Sequence, residues 1–213
     1  MSNIFIVAAR RGSRRLPGKN RHLIFDQAAF MYPLKAAYKA RLYSKIIIST
    51  DDPEIIQYVK KEKWITTHKR SCAFLCGGDS SVIDIVPDVL DDLSLNLKKI
   101  SSITLSYGTS IFLTAEKLIE AYNFFEKYNQ KSMIFSGISC KNGEHEGCVF
   151  RHDEKFFLDA AQFYMANIDR FTSKIFWLDA AVAVEYSADS VVDINTKEDM
   201  ILAKKILDHE KRN

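Results

Sequence analysis

Residues 4–20 read IFIVAARRGSRRLPGKN, an apolar run that feeds straight into a loop crowded with cations. Ile4, Phe5, Ile6 and Val7 form an unbroken apolar run, the pattern of a strand buried on both faces. Arg10, Arg11, Arg14, Arg15 and Lys19 follow within ten positions, spaced by Gly12, Ser13, Pro17 and Gly18. So many cations among small, turn-forming residues point to an anion. Backbone N–H groups of a Gly/Ser loop, with fork-shaped guanidinium groups beside them, suit a polyphosphate. The competing reading is a solvated basic loop that only aids solubility.

Outward from this stretch, apolar β-branched runs alternate with segments of helical period. The pattern predicts strands at 4–9, 45–49, 64–67, 101–105 and 132–136, and helices at 28–40, 53–62, 82–93 and 114–128. Asp52 before Pro53 reads as an N-cap and first-turn proline. Thr114 reads as the cap of the 114–128 helix. A closing helix over 196–209 is announced by Thr196 and Asp199, a capping box with Asp in place of Glu. Repeated strand–helix alternation predicts an α/β fold with a mainly parallel sheet covered on both faces, a three-layer sandwich. Ligands of such sheets bind beyond the carboxyl ends of the strands. The basic loop, Thr50-Asp51-Asp52 and Ser106-Tyr107-Gly108-Thr109 each follow a predicted strand, so all three should meet at one crevice. The alternation breaks between 137 and 166, which reads as an irregular insertion within a single domain spanning 1–213.

Composition narrows the classes. A length of 213 residues allows one substantial core, and 47% hydrophobic with 27% charged residues is ordinary for a globular protein. A net charge of +3 is too small for a dedicated nucleic-acid face, so the positive charge is local and marks a site. No apolar run of membrane-spanning length and no secretory leader pattern is present, so no membrane partner and a cytoplasmic location are expected. Cys72, Cys76, Cys140 and Cys148 fit a reducing compartment. Their spacings lack the C-x2-C knuckle of a zinc site. His145, Arg151 and His152 fall in the polar stretch, where solvated side chains are the simpler reading. Trp64 and Trp177 sit in apolar surroundings and read as core.

There is neither a P-loop nor a G-x-G-x-x-G after the first strand. Instead Ala8 to Asn20 spell A-x-R-x-G-S-x-x-L-P-x-K-N. This resembles the signature of the acylneuraminate (CMP-nonulosonic acid) cytidylyltransferases, which make CMP-activated sugar acids from CTP. Further segments are similar: Ser49–Ile55, Arg70 and Ser81, Tyr107–Ser110 with Thr114–Leu118, and Val192–Asp199. Asp159-Ala160-Ala161-Gln162-Phe163-Tyr164 most resembles the pseudaminic acid branch.

The resemblance implies a fold of the nucleotide-diphospho-sugar transferase type and a transfer of CMP from CTP to a nonulosonic, sialic-acid-like acid with release of pyrophosphate. It implies that Arg10 and Lys19 are catalytic, that Arg10, Arg14 and Lys19 hold the triphosphate with Ser13 donating hydrogen bonds, and that Asn20, Arg70 and Ser81 read the nucleoside. Tyr107, Thr109, Gln162 and Tyr164 become acceptor-side candidates. Asp193 and Asn195 become ligands of Mg²⁺, the implied cofactor. CTP and a sugar acid are the implied partners, with a homodimer as the assembly, less well supported because the 137–159 excursion is short. The sequence departs from the family pattern at Arg11 (a second glycine), Gly108 (a proline) and Asn195 (the second aspartate of Asp-x-Asp). Two alternatives follow: a non-catalytic nucleotide- or sugar-binding relative with a decayed metal site, and a cytidylyltransferase for an eight-carbon ulosonic acid.

Overall fold

The computed structural model describes residues 2–77, 81–128, 132–140, 149–152, 155–172 and 181–212. In chain order the elements are β1 (Ser2–Ala8), the short pair β2 (Leu23–Ile24) and β3 (Gln27–Ala28), α1 (Met31–Ala40), β4 (Lys45–Thr50), α2 (Pro53–Val59), β5 (Ile65–Lys69) and α3 (Ala73–Cys76). These are followed by α4 (Ile85–Asp92), β6 (Ile100–Tyr107), α5 (Ala115–Lys127), β7 (Met133–Cys140), β8 (Val149–His152), β9 (Lys155–Ala166), α6 (Ile168–Thr172), β10 (Ala181–Tyr186) and α7 (Lys197–Arg212). Cys148, His145 and Trp177 lie outside the described residues, and Arg151 and His152 are described only as backbone of β8.

The main sheet runs β5-β4-β1-β6-β9-β7-β10, with β8 paired to β9. Neighbours are parallel except at β9, which is antiparallel to β6, β7 and β8. The apolar run of β1 explains its central place. Phe5 and Val7 enter the core under α1, α2, α5 and α7, while Ile4 and Ile6 enter the core under α4 and α6. Each such buried side chain contributes about 1.5–3 kcal/mol, so a strand apolar on both faces is stable only with helices on both. The three layers expected from the alternation are therefore present.

Caps set the helix starts. Asp52, 1% exposed, accepts from Glu54 N at 3.0 Å, and Thr114 accepts from Lys117 N at 3.3 Å. Thr196 and Asp199 cap α7 reciprocally, at 2.7 and 3.2 Å. The structure differs most from the pattern reading in three places. The expected 28–40 helix begins at Met31, because Leu23–Ala28 fold into the β2–β3 pair. The 82–93 segment opens with a 3₁₀ turn, Val82–Asp84, before α4. In the stretch read as an irregular insertion, the described residues of 137–166 are sheet: β7 continues to Cys140, and β8 and β9 form an antiparallel pair.

β9 is not regular. Phe135 pairs with Tyr164, but Gly137 pairs with Asp159, so Ser136 alone stands opposite residues 160–163. Ala161 takes a left-handed conformation, φ 52°, within this bulge. Buried side chains hold it. Ser136 Oγ accepts from Gln162 N at 2.9 Å and Phe163 N at 3.3 Å, Ser106 Oγ donates to Gln162 O at 2.7 Å, and Ser110 Oγ donates to Ala161 O at 3.2 Å. These bonds satisfy backbone groups that the broken ladder leaves without partners.

Candidate nucleotide-binding site

A cavity of about 600 Å³ opens where the basic loop meets the carboxyl end of β6, which carries Tyr107 into its wall. Arg10, Ser13, Arg14, Lys19 and Asn20 line one side, and Arg70, Ser81 and Val82 another. Tyr107, Thr109 and Asn195 close it, with Arg15 and Ala8. All seven residues assigned to CTP by resemblance thus share one cavity, with three of the remaining candidates. Gln162 and Tyr164 do not line it: Gln162 is 1% exposed, and its amide bonds Phe112 N at 3.3 Å and Ala160 O at 3.0 Å inside the β9 bulge. Tyr164 lies 3% exposed beneath Tyr107, and Asp193 sits exposed at the cavity's edge, outside its lining.

The basic loop is pre-shaped. Leu16, 1% exposed, plugs it into the core. Gly18 adopts φ 66°, a conformation that glycine takes without strain, and starts the 3₁₀ turn Lys19–Arg21. Asp51 Oδ1 accepts from the backbone N of Arg11 at 2.6 Å, and Thr50 Oγ1 donates to Ala9 O at 2.6 Å, so the loop after β4 braces the loop after β1. Arg11 itself is exposed and absent from the cavity lining, so its bulk points away from the anion cradle. Arg10 donates to the carbonyl of Gly77.

Asn20 is buried and donates from Nδ2 to Arg10 O at 2.8 Å. Its Oδ1 passes so close to Gly108 that a Cβ there would meet it at 2.6 Å. Gly108 N also donates to Ala8 O at 2.9 Å, a bond that a proline could not make. Glycine at this position is therefore a coherent local solution: it admits Asn20 and ties β6 to β1.

Arg70 is 6% exposed, and its guanidinium is already spoken for: Nε to Ser49 Oγ at 2.9 Å, one terminal nitrogen to Ser49 O at 3.1 Å, the other to Leu75 O at 3.0 Å. It thereby pins the segment carrying α3 beside the cavity. Burial lowers its pKa, with Asp51 opposing, yet an arginine remains a cation. Behind it, His68 is 1% exposed, with Nδ1 at 3.0 Å from Ser49 Oγ and Nε2 at 3.1 Å from Asp88. Burial outweighs Asp88 and Asp92 and lowers the His68 pKa. Neutral His68 lets Ser49 accept from Arg70 and donate to Nδ1. The row Asp88–His68–Ser49–Arg70 has no motif that sequence reading would find, since its members meet only through β4, β5 and α4.

At the cavity's other end, Lys19 Nζ donates to Ile194 O at 2.9 Å and reaches Asn195 Oδ1 at 3.4 Å. Burial lowers the Lys19 pKa, and Asp193 pushes the other way. Arg15 donates to Asn195 Oδ1 at 2.7 Å, and Asn195 Nδ2 donates to Asp193 at 2.6 Å. The two residues implied as metal ligands are therefore adjacent, but the amide oxygen of Asn195 faces two cations. In the sequence Arg15 is only one of the loop's charges; its partner 180 positions away explains its place.

Residues 4–200 match the family model described as cytidylyltransferase. The chain belongs to that family. The pseudaminic acid cytidylyltransferase of Campylobacter jejuni (serotype O:2) is 23% identical over 227 residues, covering 96% of this chain and 95% of the relative. The pseudaminic acid cytidylyltransferase and UDP-2,4-diacetamido-2,4,6-trideoxy-beta-L-altropyranose hydrolase of Helicobacter pylori is 24% identical over 211 residues, or 91% of this chain. The chain spans only 40% of that relative's length. The CMP-N,N'-diacetyllegionaminic acid synthase of Legionella pneumophila is 28% identical over 145 residues, 66% of this chain and 60% of the relative. Among solved structures, a CMP:2-keto-3-deoxy-manno-octonic acid synthetase complexed with CTP superposes with a TM-score of 0.73 at 11% identity, over 99% of this chain and 100% of that one. That likeness establishes the cytidylyltransferase's fold as the nucleotide-diphospho-sugar transferase type. Among the described residues, no helix is long and apolar enough to cross a membrane.

Proposed function

We propose that this cytidylyltransferase transfers CMP from CTP to a nonulosonic, sialic-acid-like sugar acid and releases pyrophosphate. One observation carries the reading: the seven residues assigned to CTP by resemblance, scattered from Arg10 to Ser81, line a single cavity at the strand ends. The pseudaminic and legionaminic names of the relatives support the acceptor class. In the reaction the acceptor's hydroxyl oxygen bonds the α-phosphorus, and the bond from that phosphorus to the bridging oxygen breaks toward pyrophosphate. Arg10, Arg14 and Lys19 would gather the negative charge that accumulates on the leaving group, and Arg15 stands beside them. Such transfers rest mainly on positioning and charge neutralisation. Asn20 and Ser81 would face the nucleoside, with Arg70 holding the wall in place.

Mg²⁺ is proposed as the cofactor, and the donor set fits it in a limited way. Mg²⁺ commonly takes one or two protein carboxylates together with substrate phosphates and waters. Asp193 offers one carboxylate at the cavity's edge. Asn195, as oriented, gives its oxygen to Arg15 and Lys19 instead. Among the described residues no group of three or more His, Cys, Asp or Glu forms a ready cation cage. Asp193 would then hold the ion with the nucleotide, and the ion would supply further charge neutralisation at the phosphates.

The orientation of Asn195 also favours a second reading, a nucleotide-binding relative that no longer turns over. Calorimetric titration with CTP, with and without Mg²⁺, followed by pyrophosphate release across a panel of nine- and eight-carbon sugar acids, separates the two. Binding followed by release supports transfer. Binding with no release from any acceptor replaces it with the second reading.

A further inference from the structure

The lining of the cavity is unbalanced in charge. Arg10, Arg14, Arg15, Lys19 and Arg70 line it, and among the described residues of the lining none is a carboxylate. The acids nearby are turned to neutral N–H donors. Asp51 accepts from the backbone N of Arg11, and Asp193 accepts from Asn195 Nδ2. Asp199 accepts from the backbone N of Asn195 at 2.8 Å and of Thr196 at 2.7 Å. Burial lowers the Lys19 pKa; Asp193 opposes it, while Arg15 and Arg10 add to it, as like charges drawn together do.

Within this set Arg15 is held in an unusual way. Its side chain is exposed, and a free arginine there would spread over many rotamers. One bond fixes it, from Nη2 to Asn195 Oδ1 at 2.7 Å. The neighbours of that amide dictate its orientation. The oxygen faces Arg15 and, at 3.4 Å, Lys19 Nζ, while the nitrogen faces the Asp193 carboxylate at 2.6 Å. Turned over, the NH₂ group would meet two cations and the oxygen would meet a carboxylate.

The nature of this partner decides what Arg15 can do. An aspartate at position 195, as in the family pattern, would pair with the guanidinium and offset much of its charge. An amide accepts the same hydrogen bond and carries no net charge. Arg15 is therefore positioned without being neutralised, and its other N–H groups remain for phosphate oxygens, which guanidinium groups bind in pairs. The change that removes a carboxylate from the metal candidates also leaves one more cation uncancelled at the cavity.

We propose that Arg15, held by the neutral amide of Asn195, is a phosphate-binding residue that lets the cavity take the metal-free triphosphate, so that CTP is gripped without Mg²⁺. This rests on the CTP reading above. A nucleoside triphosphate carries several negative charges, and a divalent cation on its phosphates cancels part of them. A cavity whose charged lining residues are all cations favours the uncancelled form. Nucleotide binding and metal use are thereby divided between residues. The basic loop with Asn195 serves the first, and Asp193, exposed at the cavity's edge, is left for the second.

The test is calorimetric titration of the whole chain with CTP, in chelator and in Mg²⁺, for the wild type, Arg15→Gln and Arg15→Lys. Substitutions at such an exposed position leave the fold intact, which urea unfolding of both variants checks. Bonds to charged groups are worth roughly 10- to 100-fold in affinity, and exposure puts Arg15 at the low end. Arg15→Gln should therefore weaken CTP about tenfold in chelator, and less in Mg²⁺. Arg15→Lys should keep most of the affinity, because the charge stays. Wild-type affinity in chelator should lie within about fivefold of that in Mg²⁺, under the worth of one charged bond. A larger gap overturns the proposal by giving the charge role to the metal. A loss under about threefold in Arg15→Gln, smaller than one charged bond, overturns it by removing Arg15 from the phosphates. Lysine as weak as glutamine overturns it by assigning the effect to the bond with Asn195. None of these results touches the transfer reading, which stands or falls on pyrophosphate release. A wild type that binds CTP under neither condition overturns the nucleotide reading and this inference together.

Discussion

The two ends of the cavity are built by opposite means. At the nucleotide end, regular parallel strands β1, β4 and β6 deliver their following loops to one place, and side chains already bonded to neighbouring backbone complete the wall: Arg10 to Gly77, Asn20 to Arg10, Arg70 to Ser49 and Leu75. At the other end, the antiparallel strand β9 packs beside the end of β6 with its register broken, and the segment at Asp193–Asn195 is held by side chain to side chain. Where strand ends already converge, function needs only loop chemistry. Where a strand runs the other way and breaks its ladder, the distortion must be held by buried polar groups.

The largest effect should come from the deepest anchor of the nucleotide end. Arg70→Met removes three hydrogen bonds and leaves Leu75 O and Ser49 Oγ without this donor. A buried group left unpaired costs about 1–3 kcal/mol, so the loss of stability should be about 3 kcal/mol. Urea unfolding measures it, and a loss under 1 kcal/mol would mean that the wall does not depend on this anchor. Next, Arg10→Ala should weaken CTP binding by about 1.5–3 kcal/mol, the range for a bond to a charged group, or roughly 10- to 100-fold in Kd. Unchanged CTP affinity would remove the basic loop from the triphosphate.

Ser136→Ala probes the opposite end. It withdraws the acceptor of Gln162 N and Phe163 N, both buried, and should cost about 2 kcal/mol of stability. CTP affinity should stay within about twofold, since no cavity-lining residue is touched. A large fall in CTP affinity would show that the two ends are not separately built.

The same division governs what the sequence disclosed. β1 was legible because four consecutive apolar residues admit only burial on two faces. Asp52-Pro53, Thr114 and Thr196-x-x-Asp199 were legible because a cap is a local bond, made within three residues of the side chain that makes it. β9 was not legible, because residues 159–162 interrupt the two-residue period that identifies a strand, and that interruption is the bulge itself. The CTP candidates could be named one by one through a resemblance, but not the Asp88–His68–Ser49–Arg70 row or the Arg15–Asn195 bond, which join distant segments through side chains of ordinary type. Gly108 was legible as a departure; only the 2.6 Å approach of Asn20 gives its reason.

The smallest expected effect lies at the join between the two ends. The Asn195 amide does two things at once: Nδ2 donates to Asp193, and Oδ1 accepts from Arg15 and Lys19. Asn195→Asp keeps the second role and reverses the first, setting two carboxylates where the present contact is 2.6 Å. Without a cation between them, one carboxylate must turn away and draw Arg15 or Lys19 from the cavity. Beside the exposed Asp193 such rearrangements are worth about 1 kcal/mol, so CTP affinity in the presence of a chelator should fall roughly fivefold. Added Mg²⁺ should restore it, because a hard divalent cation favours the new carboxylate pair. Calorimetry of CTP binding with chelator and with Mg²⁺ gives both values. Equal affinity for wild type and variant under both conditions would show that Asn195 sets neither the cations nor the metal, and that the closing segment only bounds the cavity.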